Sequence, residues 1–149
     1  MSQFKPNATI AAIIHCNNKF LLVEEIDNGK RVLNQPAGHM EAGESIVQTF
    51  EREVREETGL QLTADSLSGI YYNHRADLDI YYLRFAFVVE LAEQVQGTPE
   101  DSDIITTHWL SYQEIIDRAD EMRSIMVKKC IDDYLTGQRY PLDILKNHL

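Results

Sequence analysis

Three glutamates, Glu53, Glu56 and Glu57, have the spacing that places carboxylates side by side on a helix. Residues at i, i+3 and i+4 project from neighbouring turns of one helix face. Each unfavourable pair of like charges costs an isolated helix roughly 0.2–0.5 kcal/mol. Arg52 and Arg55 can offset part of this repulsion, and a bound divalent cation would offset it more fully. The spacing alone favours an ordinary solvated, charged helix face, and a metal site is the alternative.

Composition and charge limit the classes of protein to which the chain can belong. Its 149 residues are 44% hydrophobic and 26% charged, which predicts one globular domain over residues 1–149. The net charge of −10 argues against binding to polymeric nucleic acid, which depends on Lys and Arg neutralising phosphates. No apolar run approaches the roughly 20 residues that cross a bilayer. Since the N-terminus also lacks a signal-peptide pattern, we expect a cytoplasmic protein with no membrane partner.

The glutamates lie on a helix whose two ends can be predicted. Ser45 followed by Gln48 matches a capping box, and Gly59 lies where a left-handed C-terminal cap is expected. These signals predict a helix over residues 45–58. Apolar residues at helical spacing form the stripe that would be buried, namely Ile46, Val47, Phe50 and Val54. Glu53, Glu56 and Glu57 would then lie outside this buried stripe, on the rest of the helix surface.

Short apolar runs before and after this helix predict a β-sheet. The runs at residues 7–15 and 19–23 flank Asn17 and Asn18, which predicts a hairpin. Residues 34–43 contain Pro36, Gly38 and Gly43 and predict a loop with tight turns. We expect further strands at residues 31–33, 60–63, 67–73, 80–91 and 104–110, a turn at residues 74–77, and helices at residues 112–120 and 124–134. Cys16 and Cys130 fit reduced, buried thiols.

Nine residues in this region fit the pattern G-x5-E-x7-R-E-U-x-E-E-x-G-U, where U is a bulky aliphatic residue: Gly38, Glu44, Arg52, Glu53, Val54, Glu56, Glu57, Gly59 and Leu60. This pattern is the Nudix box, and the sequence resembles the Nudix family at every defined position. The resemblance implies the α/β class and the Nudix fold, an α/β/α sandwich with a central mixed β-sheet. It also implies that the box forms a loop–helix–loop that binds a divalent metal.

The resemblance extends over nearly the whole chain to the bacterial NudJ-type phosphatases. The segments that carry it outside the box are NQPAGH at residues 34–39, DSDI at 101–104 and GQRYP at 137–141. It implies hydrolysis of nucleoside tri- and diphosphates and of thiamine-type pyrophosphates, with release of orthophosphate. One departure is Ala37, where many Nudix members have glycine; it slightly narrows the backbone conformations allowed there.

The box implies a site for Mg²⁺, with Mn²⁺ as an alternative. Glu56 and Glu57 are the principal ligands that we expect, and Glu53 is either a third ligand or the general base. By resemblance, the backbone carbonyl of Gly38 completes the site. A carboxylate-bound Mg²⁺ can neutralise charge on phosphate oxygens and help to deliver water in line. An acidic protein can hold a polyanion in this way.

Other acidic and basic residues are expected to support the site. Arg52 lies four residues before Glu56 and can orient its carboxylate, while Glu44, two turns earlier, can hold Arg52. Many Nudix enzymes recruit an acidic residue from the loop before the strand that bears the tryptophan. Here that loop contains Glu100, Asp101 and Asp103, of which Asp103 is our preferred candidate. The alternative is an ordinary acidic loop.

Five residues outside this group are candidates for substrate contact: His39, His74, Arg75, Arg139 and Tyr140. His39 adjoins Gly38, and the others could contact a phosphate or a ring. Surface or capping roles are the alternative for these side chains. We expect the tyrosines and phenylalanines of the strands to form core rather than a stacking platform, although one or two could line a pocket.

Two classes of function follow from these residues. The first is a metal-dependent enzyme that hydrolyses small diphosphate- or triphosphate-containing metabolites. Within that class, an ADP-ribose or dinucleoside-polyphosphate pyrophosphohydrolase is the competing specificity. The second class is a non-catalytic module that senses such a nucleotide, which retention of every carboxylate in the box disfavours. The sequence does not determine the oligomeric state, and both a monomer and a homodimer are compatible with it.

Overall fold

The computed structural model describes residues 2–149. It contains seven strands and three α-helices, in chain order β1 (Asn7–Cys16), β2 (Lys19–Asp27), β3 (Lys30–Asn34), β4 (Ala37–His39), α1 (Ile46–Thr58), β5 (Ser66–Arg75), β6 (Ile80–Glu90), β7 (Ile104–Ser111), α2 (Tyr112–Asp117) and α3 (Met126–Leu135). Two short 3₁₀ turns lie at Ala119–Glu121, between α2 and α3, and at Leu142–Ile144, after α3. Within the part of the chain that is described, no helix has the length and apolarity needed to cross a membrane.

The strands form a mixed sheet in which β1 and β2 separate beyond the turn that joins them. Strand β1 runs parallel to β6 and antiparallel to β4, and β6 pairs with the edge strand β5. The predicted hairpin is confirmed, with Asn17 and Asn18 at φ of 50° and 62° in its turn. Only the two pairs nearest the turn join β1 to β2. Beyond them β2 pairs with β3, so β4 and β3 fill the space between the diverging strands, and β7 pairs with the other edge of β2 from Lys19 to Glu25.

Two apolar layers cover the two faces of the sheet. On one face, Ile10, Ala12 and Ile14 of β1 pack with Phe50 and Val54 of α1. Side chains of a strand alternate between faces, and on the opposite face the sheet packs against α3 through Ile13, Ala86, Val88, Val127 and Ile131. Each fully buried aliphatic or aromatic side chain contributes roughly 1.5–3 kcal/mol. The predicted α/β/α arrangement around a mixed sheet is confirmed, and Cys16 and Cys130 are free and buried, as expected.

Several predicted boundaries are wrong. Residues 60–63 form no strand, because Gly59 turns the chain at φ 75° and Leu60 and Leu62 pack against the apolar layer as an irregular segment. The loop at residues 34–43 contains β4, since residues 37–39 pair with the exposed edge of β1. Strand β5 continues through His74 and Arg75, and the turn lies at residues 76–79. Helix α2 ends at Asp117, and α3 begins only at Met126.

Candidate active site

Helix α1 is held at both ends by the predicted caps. Ser45 Oγ accepts a hydrogen bond from the Gln48 N–H at 3.1 Å, and Gln48 Oε1 accepts one from the Ser45 N–H at 2.8 Å. At the other end, Gly59 is left-handed and its N–H donates to the Arg55 carbonyl at 2.7 Å. Since Phe50 and Val54 are fully buried beneath it, the helix has a fixed position and a fixed rotation.

The Arg52 guanidinium donates hydrogen bonds to three glutamates and to one backbone carbonyl. Its Nε and Nη2 donate to Oε2 and Oε1 of Glu44 at 2.6 and 3.0 Å. Its Nη1 donates to Oε1 of Glu53 at 2.6 Å and to Oε1 of Glu56 at 3.0 Å. Nη2 also donates to the His39 carbonyl at 2.8 Å. The hydrogen bonds from Arg52 lower the pKa of Glu44 to about 2.

The carboxylate of Glu53 lies directly against the backbone of Gly38. A Cβ atom at position 38 would collide with the carboxyl carbon and both oxygens of Glu53. The conformation of Gly38 is an ordinary one, so this close approach is what requires glycine. Burial raises the pKa of Glu53, although the hydrogen bond from Arg52 acts in the opposite direction.

Glu57 is a buried carboxyl group in a negative environment. It is only 6% exposed, and its Oε1 accepts a hydrogen bond from the Ala37 N–H at 2.9 Å. The pKa of Glu57 is raised to about 9, mainly by burial and also by the charges of Glu25, Glu53 and Asp101, while the hydrogen bond from Ala37 acts in the opposite direction. Either a proton or a cation must therefore compensate this carboxylate.

The acidic loop before β7 is attached to the C-terminal half of α1. The N–H groups of Glu100 and Asp101 donate to the Glu56 carbonyl at 2.9 and 2.8 Å. The charge of Asp101 raises the pKa of both buried carboxyl groups on α1. Asp103 is exposed, and its N–H donates to Asp101 Oδ1 at 2.9 Å. The loop thus brings Asp101 towards the carboxylate cluster and leaves the preferred sequence candidate, Asp103, on the outside of the turn.

A cleft of about 620 Å³ brings six of the predicted site residues together: Gly38, His39, Glu53, Glu57, His74 and Arg75. Helix α1 contributes the carboxylates, and β4 and the end of β5 contribute the others. Burial lowers the pKa of His39, and the charge of Arg123 acts in the same direction. His39 is therefore neutral at pH 7.

The two predicted residues at the end of β5 already have partners. Arg75 donates to Asp27 and Asp77, each at 3.1 Å. The His74 ring stacks on Tyr81 with 4.2 Å between centroids and 15° between planes. These contacts hold both side chains at the rim of the cleft.

Arg139 and Tyr140 lie outside this cleft. Arg139 stacks over the Tyr134 ring, 4.2 Å from its centroid, and donates to the Tyr134 carbonyl at 2.9 Å. The backbone of Tyr140 pairs with Leu67 of β5, and its side chain lines a second cavity of about 450 Å³. The structure does not bring these two residues to the carboxylates.

Comparison with known proteins identifies the family. A family model described as the NUDIX domain matches residues 5–130. The chain belongs to the Nudix family. Phosphatase NudJ of Escherichia coli (strain K12) is 42% identical to this Nudix hydrolase over 142 residues, which cover 95% of this chain and 92% of that protein.

Solved structures agree with this assignment. A Nudix hydrolase from Nitrosomonas europaea is 45% identical and superimposes with a TM-score of 0.90, covering 97% of this chain and 98% of that one. The Nudix domain of Shewanella oneidensis NrtR, solved in complex with ADP ribose, has a TM-score of 0.76 at 15% identity, covering 91% and 90%. That second likeness shows the fold alone.

Several residues that line the Nudix cleft were not predicted as site residues, among them Thr9, Asn73, Tyr82, Arg84 and Arg123. The one available signal was Arg84, a charged residue inside the apolar run of β6. Thr9, Asn73 and Tyr82 carry no local signal, because strand pairing alone brings β1, β5 and β6 side by side. Arg123 lies in the irregular segment before α3.

Nudix enzymes generally use divalent metals, and the residues here fit one by their chemistry. Three carboxylates and the Gly38 carbonyl are the oxygen ligands that a hard divalent cation prefers, and the buried Glu57 needs compensation. Across residues 2–149, no group of three metal-ligating side chains stands close enough to hold an ion as arranged. Glu53 and Glu56 each accept a hydrogen bond from Arg52 Nη1 through Oε1. A cation would therefore share these two carboxylates with Arg52.

Proposed function

We propose that this Nudix hydrolase is a divalent-metal-dependent phosphatase of small metabolites. Its substrates would be nucleoside tri- and diphosphates and thiamine-type pyrophosphates, with release of orthophosphate. The observation that carries the proposal is the cleft in which Glu53 and Glu57 of a complete Nudix box lie beside His39 and several polar side chains. The 42% identity to a protein named Phosphatase NudJ supports phosphate as the product.

Glu53, Glu56, Glu57 and the Gly38 carbonyl are the groups that would hold Mg²⁺, with Mn²⁺ as the alternative. When bound, the ion would neutralise charge on the phosphate oxygens and lower the pKa of water. Since Glu57 is buried beside Ala37, it would be the ligand that the fold holds most firmly. Glu56 is more exposed and would be the ligand that moves most easily from Arg52.

The protein's own groups would then position the reacting atoms. Arg52 fixes the orientation of Glu53 and Glu56, and Glu44 fixes Arg52. A water attacking the phosphorus must lose a proton, and a carboxylate with a raised pKa is a stronger base. We propose Glu53 or Asp101 for this task, and we rank Asp101 above Asp103 because its charge acts on the buried glutamates.

The five residues predicted to contact the substrate lie in three different parts of the structure. His39 is neutral and adjoins Gly38, so it would bind the substrate next to the scissile phosphate. His74 and Arg75 would contact the substrate only at the rim. Arg139 and Tyr140 would bind a substrate only if it reached the second cavity, and we place them last among the proposed contacts.

Phosphate release from a panel of nucleotides and thiamine-type diphosphates in Mg²⁺ tests the proposal. Glu56→Gln and Glu57→Gln should each lower kcat/KM by about 100-fold or more, because each removes charge that the transition state needs. Glu51→Gln is the matched control, since Glu51 is an exposed glutamate of the same helix. Full activity in both ligand variants would contradict the metal assignment.

Product analysis separates the competing functions. An ADP-ribose or dinucleoside-polyphosphate pyrophosphohydrolase would yield two phosphorylated halves rather than orthophosphate. A nucleotide-sensing module would bind the same compounds with no turnover in Mg²⁺ or Mn²⁺. Either result would replace the phosphatase proposal.

A further inference from the structure

The floor of the cleft carries buried polar atoms that have no hydrogen-bond partner within residues 2–149. They are Thr9 Oγ1, Asn73 Oδ1, and Nε and Nη1 of Arg84. All three residues line the cleft that contains the carboxylates. Thr9 is only 4% exposed. Buried polar groups are nearly always hydrogen-bonded in native proteins, so this group of atoms indicates a ligand that supplies the missing partners.

Strand register places these residues on one face of the sheet. His39 of β4 pairs with Thr9 of β1, and Thr9 pairs in turn with Arg84 of β6. On the neighbouring row, Tyr82 of β6 pairs with Asn73 of β5. Residues directly opposite each other project to the same side, and adjacent strands lie about 4.8 Å apart. The Arg84 backbone is therefore roughly 10 Å from that of His39.

The charge of Arg84 distinguishes it from the other arginines of the cleft. Arg75 forms ion pairs with Asp27 and Asp77, and Arg123 forms one with Glu25 at 2.8 Å. No carboxylate within the described residues lies within ion-pair distance of Arg84. Burial raises the pKa of the Cys130 thiol of α3, and the nearby charge of Arg84 acts in the opposite direction. Arg84 is thus held between the sheet and α3, with two nitrogens unused.

We propose that Thr9, Asn73 and Arg84 form the subsite for the heterocyclic ring of the substrate. The inference rests on the proposed function, because it assumes that the phosphates occupy the carboxylate end of the cleft. The distance of roughly 10 Å from His39 to Arg84 exceeds the length of one phosphoanhydride unit. Phosphates held at the carboxylates would therefore not extend to Arg84, and the organic group of the substrate would contact it. Two N–H donors, a hydroxyl and a carboxamide match the mixed donors and acceptors along the edge of a nucleobase or an aminopyrimidine.

Aromatic side chains beside the subsite suit a flat ring. Tyr82 lies on the same face of β6 as Arg84, and the His39 ring lies 6.4 Å from the Tyr82 ring at an angle of 49°. Aromatic side chains can stack on a heterocycle with little dependence on which base it is. The subsite would therefore select for a ring with a polar edge, and not for one particular base.

Binding measurements can test this subsite without turnover. Titration calorimetry in Mg²⁺ would use α,β-methylene diphosphates of purine and pyrimidine nucleosides, with methylenediphosphonate as a probe that lacks the ring. Arg84→Lys and Thr9→Val should each weaken nucleotide binding by about tenfold, the effect of one buried hydrogen bond, and leave methylenediphosphonate binding unchanged. Arg31→Lys, an exposed arginine of β3, is the control.

Stability provides a second measurement. Thr9→Val removes a hydroxyl that has no partner, so the ligand-free Tm should rise while nucleotide affinity falls. Equal weakening of both probes would overturn the inference and indicate a phosphate site or a structural role. Unchanged nucleotide affinity in both variants, or no nucleotide binding by the wild type, would also overturn it. If the wild type shows the expected binding pattern but releases no phosphate, the proposed function fails and the ring subsite stands.

Discussion

Arg52 and Glu44 form a bidentate ion pair, with Nε 2.6 Å from one carboxylate oxygen and Nη2 3.0 Å from the other. Both side chains are largely buried, at 17% and 14% exposure. This geometry aims the remaining nitrogen, Nη1, at Glu53 and Glu56. A planar guanidinium can make all these bonds at once, whereas an ammonium group cannot.

Arg52→Lys should therefore lower kcat/KM by about 10–100-fold while the protein stays folded, because groups that orient metal ligands have effects of this size. Phosphate release and thermal melting would measure the two effects. Arg55→Lys is the control, since Arg55 on the same helix is 44% exposed and its ion pair with Glu100 is long, at 3.9 Å. Activity equal to that control would show that Arg52 does not position the carboxylates.

Glu44→Gln should destabilise the protein in a pH-dependent way. The pKa of Glu44 is lowered to about 2 by hydrogen bonds from Arg52, so the folded state favours the ionised form. This stabilisation is present above the unfolded pKa of about 4.5 and is lost as pH falls towards 2. At pH 7 we expect the variant to lose about 1–2 kcal/mol of unfolding free energy, allowing for solvent screening. Denaturant titrations from pH 7 to pH 2 would measure it, and a difference that stays constant would refute the linkage.

Gly38→Ala should destabilise the protein by about 1–3 kcal/mol, the usual cost of overpacking, because the new methyl group meets the Glu53 carboxylate. A double-mutant cycle with Glu53→Ala isolates this contact. The penalty should largely disappear when Glu53 is already truncated. An identical penalty in both backgrounds would mean that the backbone of residue 38, and not Glu53, requires glycine.

Glu57→Gln should raise the Tm of the metal-free protein at pH 7, because the Glu57 carboxyl group, with its pKa raised to about 9, must take up a proton on folding and a neutral amide need not. The amide oxygen can still accept the hydrogen bond from Ala37. Adding Mg²⁺ should then stabilise the wild type by mass action and leave the variant nearly unchanged. Thermal melts in EDTA and across a Mg²⁺ titration would test both effects. An equal Mg²⁺ response in the two proteins would remove Glu57 from the ligand set.

Asp101→Asn should lower kcat by about 10-fold or more, within the range for loss of a general base, whereas Asp103→Asn should leave it close to the wild-type value. The loop attachment at Glu56 is retained in both variants, since it uses backbone N–H groups. Steady-state kinetics would compare them under the same conditions. A larger effect for Asp103 would support the candidate preferred from sequence and contradict the position-based ranking.

Much of the fold could be predicted from local signals, and the errors have a common cause. The paired asparagines of the first turn and the buried run of β1 were sufficient to predict that hairpin. The alternation of Leu60 and Leu62 imitates a strand, but a strand exists only where a partner lies beside it, and here none does. Strand β4 was missed for the converse reason, because Ala37 to His39 carry no strand signal and gain their conformation from the open edge of β1.

The sequence by itself determined helix α1, its caps, its buried stripe and the carboxylates at its surface, because capping and helical spacing involve residues within one or two turns of each other. Only the tertiary structure decided that Glu53 lies against Gly38, that the charge of Asp101 acts on Glu53 and Glu57, and that Thr9 and Arg84 line the same cleft. These relationships depend on strand register and loop attachment between residues that are distant along the chain, and no local pattern encodes them.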